Sequence, residues 1–217
     1  GDLPVSLQQL EYAKVVMGEE ALVRAFLDAL AQLCGMSMQG VGIISQEDAI
    51  SYGITGPLLR ATGVEYDVRK AEPYLVYDRL DFSVPTGSTG DNYDRFNVRL
   101  AEIEQSMKIV DQALAQIPDG PIMANDPRYV LPPKKEVYGS IEGLMNHFKL
   151  VIEGQKVPPG EVYVATEGGN GELGFYLVAD GSGRPYRVRV RPPCFYAMGA
   201  LGQMLTGSMI ADVITTF

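Results

Sequence analysis

The chain has 217 residues, 46% of them hydrophobic and 21% charged, the balance of a folded globular chain rather than a disordered one. Lys and Arg number 18 against 27 Asp and Glu, and the net charge of -9 repels phosphates, which argues against a nucleic-acid partner. Two cysteines (Cys34 and Cys194) and one histidine (His147) exclude a disulfide scaffold, a C-x-x-C metal knuckle and any multi-histidine site.

In chain order, no basic stretch followed by an apolar core opens the sequence, so no secretory signal is expected, and Gly1 reads as a cut end. Leu22, Phe26, Leu30 and Leu33 recur at helical spacing between Gly18 and Gly35 and predict an amphipathic helix over Glu19 to Leu33. Gly40 to Gly63 reads as a compact, turn-rich unit in which Ser45 ahead of Asp48 is a candidate helix cap. Glu65 to Pro85 mixes acidic and aromatic residues and reads as a packed loop.

Next comes the strongest periodicity. Tyr93, Phe96, Leu100, Ile103, Met107, Val110, Leu114 and Ile117 recur at alternating intervals of three and four, which predicts a helix of about 25 residues at 3.6 per turn. Gly90 and Asp91 start it and Pro118 stops it, and so regular a seam is expected to pack along another helix, within the chain or from a partner. A second helix is expected over Ser140 to Glu153, ended by Gly154. The period then changes to two. Val162 to Thr166, Glu172 to Ala179 and Tyr186 to Val190 read as short strands, the last two joined by Asp180-Gly181-Ser182-Gly183. The expected class is α+β, mainly a helical bundle, with a small antiparallel sheet near the C-terminus. The organisation expected is a single partial domain over 1–217: a divergent helical segment at 1–39, a helical body at 40–155, and the sheet with a truncated end at 156–217. The charge-free run from Pro192 to Ala211 is broken by Pro193, Gly199, Gly202 and Gly207, and reads as buried or interfacial rather than membrane-spanning.

Few residues stand out for chemistry. His147 sits beside the apolar face of its helix, where a hydrogen-bonded histidine at the core edge outweighs a proton-transfer role. Arg187, Arg189 and Arg191 alternate with Val188 and Val190, so one strand face is cationic and the other apolar. Pairing with Glu167 and Glu172 on neighbouring strands, or an anion-binding or subunit-docking face, are the two readings. Asp91, Asp94, Arg95 and Arg99 occupy the first turns of the long helix. The Asp91–Arg95 spacing suits an exposed ion pair, and Arg99 is left to seek another carboxylate such as Glu102. The Gly168, Gly169, Gly171 turn is flanked by Glu167 and Glu172 and makes a poor phosphate cradle.

The stretches GVGIISQEDAISYGITGPLLRATGVEYDVRK (Gly40 to Lys70), PYLVYD (Pro73 to Asp78), GDNYDRFNVRLAEIEQSMKIVDQAL (Gly90 to Leu114), HFKLVIEG (His147 to Gly154) and GEVYVATEGGNGELGFYLVADGSGRPYRVRVRPPCF (Gly160 to Phe195) resemble the D-type, 49 kDa-type subunit of the proton-pumping NADH-quinone oxidoreductase, respiratory complex I. The resemblance implies a fold like the large subunit of nickel-iron hydrogenases with the metal site lost. It also implies a role as scaffold of the quinone-reduction cavity, coupling electron transfer to proton translocation. The implied partners are other complex I subunits, above all the neighbour that carries the terminal iron-sulfur cluster and those of the membrane arm, with quinone as substrate and no cofactor held by this chain. The implied location is peripheral, on the cytoplasmic side of the cell inner membrane. The residues carried into a cavity-supporting or interface network are Arg60, Asp91, Asp94, Arg95, Arg99, His147, Lys149, Arg187 and Arg189, none of them in a bond-making role. Family members are nearly twice as long, so the chain reads as a C-terminal half, inactive alone, and Ala197 stands where the family often has His. A related membrane-bound ferredoxin-dependent quinone reductase or hydrogenase-like complex, or a non-redox interaction module, is the alternative.

Overall fold

The computed structural model describes residues 38–121, 123 and 126–216. The helix expected over Glu19 to Leu33, and Cys34, lie outside the described residues. Three short helices open the described chain. In α1 (Gln46–Ser51) the Ser45 hydroxyl accepts from the Asp48 amide at 3.1 Å, the cap expected from sequence. Proline begins α2 (Pro57–Arg60), where a missing N–H costs nothing, and the Asp67 carboxylate caps α3 (Val68–Ala71). At Gly56, φ is +74° and an added Cβ would run into the Gly171 backbone, so α2 and the sheet meet there through bare main chain.

The long helix α4 (Asn92–Gln116) has 25 residues and starts at Asp91, whose side chain accepts from the Asp94 amide. Its most buried residues are not the apolar seam. Asn92, Arg95 and Val98 face inward, whereas Ile103 and Ile117 are exposed. Asp91 and Arg95 are both buried, which corrects the expectation of an exposed ion-paired face. The extended segment 80–86 lies along α4. Gln112 donates to the Asp81 carbonyl at 2.6 Å and accepts from its amide at 2.7 Å, while Ser83 donates to Gln105 at 3.1 Å. Around the start of this segment, the Tyr74 and Tyr77 rings and the Tyr77 and Phe82 rings meet edge to face, as a packed loop should.

The helix expected over 140–153 is present as an α-helix that runs into a turn of π-helix, and a further short helix precedes it. The preceding helix is α5 (Lys134–Gly139); the expected one is α6 (Ile141–Phe148), with Lys149–Glu153 wound as the π segment. Ser140 separates α5 from α6 by capping α6 through the Gly143 amide at 3.0 Å, and Gly154 at φ +68°, the expected stop, ends the π turn. The sheet comprises β1 (Gly160–Gly168), β2 (Gly171–Ala179) and β3 (Arg187–Arg191), antiparallel in the order β1-β2-β3. Val162 lies opposite Leu177 and Tyr163 opposite Tyr176; Tyr176 in turn lies opposite Arg189. All three strands follow the expected segments to within a few residues. Helices α7 (Pro193–Leu205) and α8 (Asp212–Thr216) close the chain. The core is small: Ile44, Ala49, Ile54 and Leu59 pack with Ala200 and Met204 of α7. The charge-free run therefore buries only part of itself, and Met209 and Ile210 stay exposed. Among the described residues no helix is long and apolar enough to cross a membrane. Helices and a small antiparallel sheet in one chain place it in the α+β class.

Candidate functional site

Two buried arginines, Arg60 and Arg95, organise the polar interior. Arg60, at the last position of α2, is 2% exposed. Its Nε donates to Glu102 at 2.7 Å, and its Nη1 donates to Glu167 at 2.9 Å and to the Tyr66 carbonyl at 3.0 Å. Asp67 lies 3.7 Å away and is also bound by Arg69, at 2.6 Å. Two guanidinium groups thus face three carboxylates in a largely buried cluster. Burial pushes the Glu167 carboxyl above the usual range, the charge of Arg60 opposing it and that of Asp67 reinforcing it. Burial also acts upward on Asp67, but the hydrogen bonds and charge of Arg69 outweigh it and hold that carboxyl below its ordinary value. Glu167 also accepts from the Val68 amide at 3.3 Å, so β1 is tied to α3 through this carboxylate.

The second arginine, Arg95, is 3% exposed on the first turns of α4. It donates to Asn92 Oδ1 at 2.6 Å, to the Gly90 carbonyl at 3.0 Å, to the Thr216 carbonyl at 3.3 Å and to the Gly42 carbonyl. Met204 Sδ is 3.3 Å from its Nη2, and its Nε has no partner among the described residues. Desolvation, opposed by the Asp91 charge, pushes the guanidinium down to about 10, still protonated near neutrality. Gly42 has a φ of +65°, and a Cβ there would press on Asn92 Oδ1 at 2.5 Å, so only glycine brings its carbonyl to this cation. Asp91 accepts from the Gly40 amide at 2.8 Å. Asp94 gathers the Ser88 and Thr89 amides at 2.8 and 2.5 Å; although burial acts upward on it, these donors hold its carboxyl below the ordinary value.

Of the other residues picked from sequence, Arg99 finds no carboxylate among the described residues. It donates to Asn170 Oδ1 at 3.3 Å, because Glu102, its expected partner, is taken by Arg60. Arg187 and Arg189 are exposed and make no ion pair among the described residues, whereas Arg191 lies 4.0 Å from Glu172 and donates to the Glu172 and Gly53 carbonyls. The expected pairing of the strand arginines with Glu167 and Glu172 therefore holds for Arg191 and Glu172 alone. His147 is half-buried in the last turn of α6, and its side chain has no hydrogen-bond partner among the described residues. Lys149 lines a cleft of about 290 Å³ with Arg128, Asn146 and Glu153. The structure brings together Asp91, Asp94 and Arg95, keeps Arg60 in its own cluster, and leaves His147, Lys149, Arg187 and Arg189 apart from both. Asp67, Glu102 and Glu167 complete the Arg60 cluster. Only Asp67, ahead of a short helix, carries a local signal, that of an N-cap.

No group of three or more His, Cys, Asp or Glu residues is arranged to hold a metal among the described residues. Cys194 accepts from Asn170 Nδ2 at 3.3 Å. The arrangement holds charges fixed in a buried interior, and the two arginine clusters contain no nucleophile with a base beside it among the described residues.

Comparison with known proteins gives a consistent result. A family model described as the 49 kDa subunit of respiratory-chain NADH dehydrogenase matches residues 31–217. A D-type subunit of the NADH-quinone oxidoreductase of Sorangium cellulosum is 62% identical over 195 residues, 89% of this chain and 46% of that protein. The D-type subunit of the Myxococcus xanthus NADH-quinone oxidoreductase is 61% identical over 179 residues, 82% of this chain and 43% of its own length. The chain spans about half the length of the curated relatives it matches.

Proposed function

Because the chain belongs to the family of the 49 kDa subunit of respiratory-chain NADH dehydrogenase, we propose that it acts within an NADH:quinone oxidoreductase as part of the scaffold of the quinone-reduction cavity. The observation that carries this reading is the family match over 31–217, which includes every residue of the Arg60 and Arg95 clusters. On this reading the chain holds no electron carrier. A quinone accepts two electrons from the iron-sulfur cluster of the neighbouring subunit and two protons, and leaves as quinol, the step being coupled to proton translocation through the membrane arm. The chain's own part is positional. Arg60 and Arg95 lock α2, α4, β1 and the C-terminal helix into one frame, and charges fixed in advance need no reorganisation as the quinone changes charge.

The fold proposed for the complete subunit is that of the nickel-iron hydrogenase large subunit. A nickel-iron centre does not fit this chain, which has two cysteines where such a centre needs four thiolates. The place proposed is peripheral, on the cytoplasmic side of the inner membrane, against the cluster-carrying subunit and the membrane arm. Much apolar surface is uncovered, including Ile141, 78% exposed, and Phe148, 49% exposed, as suits a subunit made for contact. The test is quinone reductase activity of the assembled complex carrying Asp94→Ala, Arg99→Ala or Arg187→Ala. Losses of about tenfold or more in kcat are expected for at least the Asp94 change, whose carboxylate shapes the 88–90 turn. Wild-type activity in all three would remove these residues from any cavity-supporting network.

A further inference from the structure

The edge of the sheet formed by β3 combines four properties. It pairs with β2 on one side and, among the described residues, with no strand on the other. Its side chains alternate strictly: Arg187 and Arg189 stand in rows with Val178 and Tyr176, while Val188 and Val190 stand in rows with Leu177 and Phe175 on the opposite face. Among the described residues neither Arg187 nor Arg189 is in an ion pair, and Glu161 and Glu172, which share their face of the sheet, accept from tyrosines or lie beside Arg191. Glu161 accepts from the Tyr176 hydroxyl, and Glu172 accepts from Tyr163 at 2.6 Å and from Tyr66 at 3.3 Å. Arg187 and Arg189 therefore carry exposed positive charge on an acidic protein, while Val188 and Val190 leave the apolar face uncovered.

Where β3 runs into α7, a cleft of about 440 Å³ opens between Tyr163, Tyr176, Arg189 and Arg191 on the sheet and Phe195 and Tyr196 on the helix. The two strand tyrosines have committed their hydroxyls to carboxylates, so they present ring faces. The Arg191 guanidinium lies over the Tyr196 ring at 4.5 Å. Arg189 is the cation in the cleft with no ion-pair partner among the described residues.

We propose that β3 is a docking edge that accepts an added strand from another polypeptide, one in which carboxylate and apolar side chains alternate. An incoming strand uses the open main-chain groups of β3 for affinity and alternate side-chain sites for selection. In register, its carboxylates lie beside Arg187 and Arg189 and its apolar side chains extend the Val188 and Val190 face. Charge decides against a second copy of the chain. Two β3 edges side by side set arginine against arginine, and like charges directly opposite destabilise a strand pair.

The test uses the full 217-residue chain and two fluorescein-labelled peptides of about eight residues, one alternating Glu with Val and one alternating Lys with Val, followed by anisotropy. The Glu-Val peptide is expected to bind at least about tenfold more tightly than the Lys-Val peptide, and to weaken as salt rises. In the Arg187→Glu/Arg189→Glu double variant, with its circular dichroism spectrum unchanged, the preference is expected to reverse. Hydrogen exchange should slow at β3 amides when the Glu-Val peptide is present, which separates strand addition from loose charge attraction. Equal affinity for both peptides, no binding, an unreversed preference, or unchanged exchange in β3 would each overturn the proposal. So would self-association of the chain that the double variant abolishes. No quinone or electron carrier enters this assay, so its failure would leave the quinone-cavity reading standing.

Discussion

An Arg60→Met substitution keeps most of the side-chain length and removes the charge, leaving Glu102, Glu167 and Asp67 without the cation that joins them. Breaking a buried ion pair by removing one partner costs about 3–5 kcal/mol, since the surviving charge stays desolvated. With a urea dependence of about 2 kcal/mol per molar, the unfolding midpoint should fall by about 1.5–2.5 M. The pH dependence carries its own sign. Burial raises the Glu167 carboxyl above its ordinary value of 4.5, so the folded state holds that proton more tightly than the unfolded state does. Its contribution to stability is present below 4.5 and is lost as pH rises through the raised value. Without Arg60 that value moves further up, so the variant's deficit should shrink as the pH is lowered from neutrality toward about 5. Asp67 works in the opposite sense and in a separate window. Its lowered carboxyl adds stability above 3.8 that disappears as pH falls further. Urea titrations followed by circular dichroism at several pH values give both quantities. A deficit under about 1 kcal/mol, the size of a surface pair, or one that grows on going from neutrality to about pH 5, would refute the description of this cluster as a buried counter-ion site.

Arg95→Met should release the C-terminal turn and the 42 loop together, because the guanidinium bonds both the Thr216 and Gly42 carbonyls; hydrogen exchange should speed up by about tenfold or more at 40–44 and 212–216 and far less in β1. Gly56→Ala places a Cβ against the Gly171 backbone at a positive φ, so a loss of about 2–4 kcal/mol in chemical denaturation is expected, against about 0.5 kcal/mol for Gly160→Ala, where nothing lies within 4 Å. Ile141→Glu and Phe148→Glu change exposed residues and should leave the stability of the isolated chain within about 0.5 kcal/mol, while lowering the yield of assembled complex on native gels.

The elements set by local periodicity are legible from sequence. The spacing of Tyr93 to Ile117 locates α4 to within a residue at each end, and the change to period two locates all three strands. Which face of α4 is buried is not legible. Asn92 and Arg95 go inside because backbone carbonyls at 42, 90 and 216 converge there, and a carbonyl has no signature in the side-chain pattern. The Arg60 cluster is half legible. The resemblance singles out Arg60, but its partner Glu167 lies 107 positions away and carries the same local signal as Glu172, which pairs elsewhere. The π turn hides for a related reason: the apolar pattern runs through 141–152 as though one α-helix continued, while the backbone changes its winding at Lys149.

Under the proposed function the chain contributes to a quinone-cavity scaffold. The most direct test of that role is a chimera in which the chain replaces the matching segment of the 49 kDa-type subunit of a full-length relative, followed by NADH:quinone reductase activity in membranes. Assembly with activity within about threefold of the parent, lost on adding Arg60→Met or Arg95→Met while NADH oxidation by an artificial acceptor persists, is the predicted result. A chimera that assembles fully yet reduces no quinone, or one whose activity ignores both arginines, would contradict it.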